Sequence, residues 1–180
     1  MRDLHGIDWG ADTAEDHLAA VKAAEPGMLR AVVRRYDWGC HPETVLGWAM
    51  AQQCIDLGTA LRAFLNGDPG RFNYLAKWEI PESFTGICRL LDNICLRVNS
   101  GFYLAVPDAP LETADHRQLR RWLDHQTEDR ARGSGGRWVL DEMIVTLLLD
   151  GTAQGKPAGK PLSRSQQDRP RGADVFPELD

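Results

Sequence analysis

The chain is short of most features that announce an activity. No stretch approaches the ~18 consecutive apolar residues of a membrane span. The opening run, MRDLHGIDWGADTAEDH, lacks the apolar core of a signal peptide, so a cytoplasmic location is expected. Positive charge is also scarce. The 21 lysines and arginines are outnumbered by 26 aspartates and glutamates, for a net charge of -5. Such a chain lacks the basic face of a nucleic-acid binder and has no attraction for anionic lipid. Neither nucleic acid nor membrane is an expected partner.

Cysteine is sparse: Cys40, Cys54, Cys88 and Cys95 are the whole set. They read as reduced thiols of an intracellular chain. Cys88 and Cys95 lie two turns apart on one apolar helical face, roughly 10 Å of rise, too far for a disulfide. Zinc sites use close pairs of ligands, and none occurs. Cys40 precedes His41 directly, but neighbouring side chains diverge. His5, His17, His116 and His125 are scattered. No metal and no cofactor is expected.

Catalytic signatures are missing too. There is no G-x-S-x-G elbow and no histidine at a spacing that would activate a cysteine. The acid pairs Glu15–Asp16 and Asp141–Glu142 fall at helix starts or on polar faces, where water solvates them. RGSGGR, Arg132 to Arg137, has glycines that free the backbone to cradle an anion and arginines that add charge. It lacks the Lys-Ser/Thr ending of a phosphate loop, and a flexible linker is the expectation.

What is present is helical periodicity. Thr13 reads as an N-cap, with Glu15 and Asp16 in the first turn where the helix dipole favours acid. Pro26 and Pro42 suit the first turns of the next two helices. The run from Asn66 to Gly70 is turn chemistry. After an aromatic-rich stretch, Pro81 opens the strongest helix, with Phe84, Ile87, Cys88, Leu91, Ile94, Cys95 and Val98 at steps of three and four. Another helix falls within Asp108–Arg130. A last one is expected to carry Val139, Leu140, Met143, Ile144, Leu147 and Leu148 inward and to end at Gly151.

The pattern defines an all-α fold, a single domain of about seven short helices packed largely antiparallel, with an irregular C-terminal tail. Residues 1–12 form a lead-in and 13–106 the helical core domain. Residues 107–151 supply C-terminal helices that pack on that core. Residues 152–180 are expected to be an extended or flexible tail, with DVFPELD as its anchor. The aromatics Trp38, Trp48, Phe64, Phe72, Tyr74 and Trp78 are core if buried, and a binding surface if exposed together.

One stretch stands out: CIDLGTALRAF, Cys54 to Phe64. Asp56 is placed to cap a helix by accepting N–H bonds from Gly58 or Thr59. Gly58 permits close approach of a neighbour, and Phe64 continues the apolar face. Together with Tyr36, Asp37, Trp38 and Gly39, the residues Cys54, Asp56, Leu57, Gly58, Thr59, Ala60, Leu61 and Phe64 resemble the bacterial domain of unknown function 4274. The resemblance spans Leu18 to Tyr103, about half of the chain. It implies a small helical domain and brings no activity. It also implies an accessory role beside toxin–immunity genes, hence a protein partner.

The functional expectation is a non-enzymatic protein-binding domain of the immunity or adaptor kind, with a toxin or another protein as its partner. The alternative is a small-molecule-binding or enzymatic helical domain with a pocket near Trp38, Cys54 and Asp56. The positions that carry either reading are Trp38, Cys54, Asp56, Gly58, Thr59 and Phe64. Oligomeric state is left open by the sequence.

Overall fold

Each helix start is set by local chemistry. In the computed structural model, which describes residues 8–10, 12–106 and 111–151, the first helix, α1 (Ala14–Ala23), opens on a capping box. Thr13 accepts from the Asp16 amide, and the Asp16 carboxylate reaches back to the Thr13 amide, so two orphan donors are satisfied reciprocally. Helices α2 (Pro26–Val33) and α3 (Pro42–Ala49) each begin with proline, whose missing N–H costs nothing there. Helix α4 (Leu57–Asn66) is capped by Asp56 and α5 (Glu82–Asn99) follows Pro81. Helices α6 (Thr113–Ala131) and α7 (Glu142–Gly151) complete the body. The described residues form no strand, and the fold is all-α.

Helices α3, α4 and α5 make the centre. α1 and α2 lean on α3, α2 also touches α4, and α6 covers the far side of α4. The core is continuous from Val21 and Leu46 through Leu61, Phe64, Leu91 and Ile94 to Leu119, Trp138, Val145 and Leu149. Each such side chain, fully removed from water, stabilises the fold by about 1.5–3 kcal/mol. Polar ties orient the layers. Arg62 on α4 donates to the buried Asp115 on α6. The Tyr103 hydroxyl donates to the Met50 carbonyl at 2.8 Å, and burial pushes that phenol up to about 12. At Gly67 a Cβ would come within 2.8 Å of Trp38 and Leu91, so the turn after α4 needs glycine for close packing.

Two expectations about the C-terminal part change. The last helix begins at Glu142, so Val139 and Leu140 lie in an irregular segment ahead of it. Within α7, Val145, Leu148 and Leu149 face the core, while Met143 is 81% and Leu147 63% exposed. The polar residues Glu142, Thr146 and Asp150 recur four apart along one edge, and Met143 and Leu147 lie next to that edge on the side turned from the core. The helix placed within Asp108–Arg130 starts at Thr113. The expected tail at 152–180, with its DVFPELD anchor, lies outside the described residues, as do most of the lead-in and residues 107–110. Among the described residues no helix is long and apolar enough to cross a membrane.

Candidate functional site

The signature stretch folds as a cap. Asp56 is 3% exposed. One of its oxygens accepts from the Thr59 amide at 2.8 Å and the other from the Thr59 hydroxyl at 2.7 Å. Arg30 of α2 and Arg34, which caps its C-terminus, stand 3.7 and 3.6 Å from the same carboxylate. Arg34 also donates to the Thr59 hydroxyl, and Arg30 to the Cys54 carbonyl. Asp56, Thr59 and two arginines therefore staple α2 to the start of α4. The carboxylate is aimed at helix amides and guanidinium groups, not into an opening. Gly58 is buried in the same first turn, and Cys54 is partly buried just ahead of it. Trp38 packs on Gly67 and is half-buried, with an enclosed indole N–H that meets no acceptor.

Phe64 leads elsewhere. It is fully buried and stands edge-on to two indoles, Trp122 at 5.5 Å and Trp138 at 6.4 Å between ring centres. Those indoles line a cavity of about 400 Å³ between the chain at Gly70–Tyr74, the last turns of α6 and the segment after it. Such a largely apolar hollow with a few convergent polar groups is the usual form of a binding site.

The segment after α6 builds one wall of this cavity, and it is not a loose linker. Gly133, at φ +68°, and Ser134 close the C-terminus of α6. The Gly133 amide donates to the Arg130 carbonyl and the Ser134 amide to the Asp129 carbonyl, a Schellman arrangement that requires a left-handed residue at Gly133. Beyond it the chain follows neither helix nor strand up to Asp141. Asn73 grips it through the Arg137 amide, which donates to the Asn73 carbonyl at 2.7 Å, and the Trp138 amide, which donates to Oδ1 at 3.0 Å. Gln126 pairs with both backbone groups of Leu140. Asn99 donates to the Val139 carbonyl and accepts from the Asp141 amide. Three carboxamides from three elements thus do for residues 137–141 what a neighbouring strand does in a sheet.

Ion pairs complete the wall. Arg137 makes a two-pronged contact with Asp92 on α5, at 2.8 and 2.6 Å, and the Trp138 indole N–H donates to the same carboxylate. Burial opposes the charge on Asp92, but the Arg137 and Trp138 bonds outweigh it and hold the group below the usual carboxylate range. Across the cavity, the Tyr74 hydroxyl donates to Asp129 at 2.7 Å, and that bond raises the phenol above its ordinary value. Tyr74 and Trp122 carried some sequence signal, as members of an aromatic group and a helical face. Trp138, Asp129, Gln126 and Asn73 carried none, because their roles depend on backbone groups and on residues distant in sequence.

Next to the cavity the connector is openly aromatic. Trp78 is 87% exposed, Tyr74 62% and Leu75 39%, all within five residues of chain. Of the six aromatics flagged in sequence, Phe64 and Phe72 are core, Trp38 and Trp48 are half-buried, and only Tyr74 and Trp78 reach solvent. No protein-family model, curated protein or solved structure matches the chain at a significant level.

Proposed function

We propose that the protein is a non-enzymatic protein-binding domain of the immunity or adaptor kind, and that it meets its partner through the Tyr74–Trp78 connector and the cavity beside it. The observation that carries this reading is Trp78, held almost wholly in water beside exposed Tyr74 and Leu75. Keeping a tryptophan out of the core forgoes a large burial gain, and tryptophan and tyrosine are the residues on which interfaces concentrate their binding energy. Tyr74, four residues before Trp78, itself lines the cavity, so a partner that covers the connector meets the concavity at Tyr74. The negative net charge favours a basic partner by long-range attraction. The alternative of ligand binding in a helical domain moves away from Asp56, whose carboxylate is already engaged, to the Trp122–Trp138 cavity.

The test is quantitative affinity capture from the native host with three immobilised full-length proteins: wild type, Trp78→Ala and Asn93→Ala, the last a change on the exposed face of α5. A protein retained by wild type and Asn93→Ala and lost by Trp78→Ala supports the reading. Retention that is indifferent to Trp78, or none at all, sinks it.

A further inference from the structure

We infer that the cavity between Tyr74, Trp122 and Trp138 is a site for an organic cation, a guanidinium or alkylammonium group, presented by a basic side chain of the partner; this rests on the binding reading above and names the group that reading takes.

The walls are aromatic. Tyr74, Trp122 and Trp138 all line the hollow, aromatic rings attract a positive group more strongly once water is excluded, and the Trp138 ring already holds one, the Arg137 guanidinium, 5.2 Å from its centre. Asp129, 8% exposed, stands in the same wall. Its Oδ2 accepts from Tyr74 at 2.7 Å, and its Oδ1 pairs at 3.4 Å with the largely exposed Arg132, a guanidinium it shares with Glu128. An ionised carboxylate has about four acceptor positions, so Asp129 retains capacity for an N–H donor. The cavity also lies at the C-terminal end of α6, where helix dipoles present partial negative charge.

The cations around the hollow are already matched. Arg130 pairs with Glu142 at 3.1 Å, Arg132 with Glu128 at 3.3 Å, and Arg137 with Asp92 at 2.6 Å. His125, on the rim, lies 3.7 Å from Glu128. These pairings also count against an anion in the glycine-rich loop. Both arginines that flank the glycines are bound to carboxylates. The Gly133 and Ser134 amides are used in closing α6, and the Asn73 carboxamide sits against Gly136, where a Cβ would go. The loop that resembles a phosphate cradle is filled by the protein's own amide.

The test is titration of full-length protein with methylguanidinium chloride, followed through the indole N–H signals in ¹⁵N-correlation spectra. The expected result is a saturable shift of the Trp122 and Trp138 signals that acetate and inorganic phosphate do not produce at matched ionic strength. Asp129→Asn weakens binding about tenfold or more, the size of a lost hydrogen bond to a charged group. Tyr74→Phe, which keeps the ring, retains binding, and Tyr74→Ala loses it. If Asp129→Asn disturbs the fold, the Tyr74 pair decides. The exposed-face control Asn93→Ala leaves methylguanidinium affinity unchanged, and the titration needs no partner protein, so failure of the partner reading and failure of the cation site are separable. A capped peptide with one arginine that binds more tightly than methylguanidinium supports the side-chain source, and equal or weaker binding overturns that source. Shifts caused by anions, Asp129→Asn binding as tightly as wild type, or Tyr74→Ala binding as tightly as Tyr74→Phe overturns the site.

Discussion

Gln126 and Leu140 exchange two hydrogen bonds: Gln126 Nε2 donates to the Leu140 carbonyl at 3.0 Å, and the Leu140 amide donates to Gln126 Oε1 at 2.8 Å. Both residues are buried. Gln126→Leu keeps most of the volume and strands a backbone donor and acceptor away from water. A loss of about 2–4 kcal/mol is expected, since each buried unsatisfied group costs about 1–3 kcal/mol. Urea denaturation checks it. The exposed control Asn93→Ala changes stability by less than about 0.5 kcal/mol.

Asp56 is predicted to act as a cap. Asp56→Ala removes the acceptor for Thr59 and destabilises by about 1–2 kcal/mol or somewhat more. Asp56→Asn keeps a side-chain oxygen for the amide and costs less, losing mainly the attraction of Arg30 and Arg34. An equal loss for the two variants in chemical denaturation contradicts capping as the main role.

Trp78 and Phe64 mark opposite ends of aromatic use. Phe64→Ala empties the contact between two indoles in a fully buried position and costs about 3–5 kcal/mol. Trp78→Ala, at 87% exposure, shifts stability by less than about 0.5 kcal/mol. Paired thermal melts read both. A large loss at Trp78 would assign that ring to the fold, not to a partner.

The Arg137–Asp92 pair makes stability pH-dependent with a definite sign. The folded pKa of Asp92 lies below its unfolded value. Its contribution is therefore full above the ordinary carboxylate pKa of about 4 and is lost as pH falls through the lower folded value. Asp92 is 43% exposed, so solvent screening keeps this to about 1 kcal/mol or less. The difference in denaturation midpoint between wild type and Asp92→Asn is expected to shrink on acidification from pH 5 to about pH 2.

Thiol reactivity follows burial. Desolvation pushes Cys95 up to about 11 and raises Cys88 as well, and both side chains are buried. Only the thiolate is nucleophilic. Iodoacetamide near neutral pH is expected to label partly exposed Cys54 in the native protein and to reach Cys88 and Cys95 on unfolding. Peptide mass spectrometry gives the order, and early labelling of Cys95 is the contrary result.

The sequence was most readable where chemistry is local. Thr13 with Asp16, the prolines at 26 and 42, and Asp56 with Thr59 all lie within one turn of what they cap. Reading failed where partners are distant and one of them is backbone. Asn73 reaches Trp138 across 65 residues, and Asn99 reaches Asp141 across 42. A backbone amide has no sequence signature, so neither link was visible. The cavity was therefore half legible: Phe64, Tyr74 and Trp122 announced themselves as aromatics. Trp138, alone after a glycine-rich run and outside any periodic stretch, did not. On α7, Glu142, Thr146 and Asp150 recur four apart along one edge, and Met143 and Leu147 sit beside that edge, so the polar stripe marked the outer side although apolar content alone did not.

The carboxamide clasp on residues 137–141 has a consequence for how the molecule opens. Amides in a stretch with no helix and no sheet would ordinarily exchange with solvent quickly. Here those of Arg137, Trp138, Leu140 and Asp141 each have a fixed acceptor on a different helix or on the connector at Asn73. Hydrogen exchange should therefore find them protected as a group, opening only when α5, α6 and the Asn73 connector separate. The last helix is latched to the body through that clasp, and its release is coupled to global unfolding in place of local fraying.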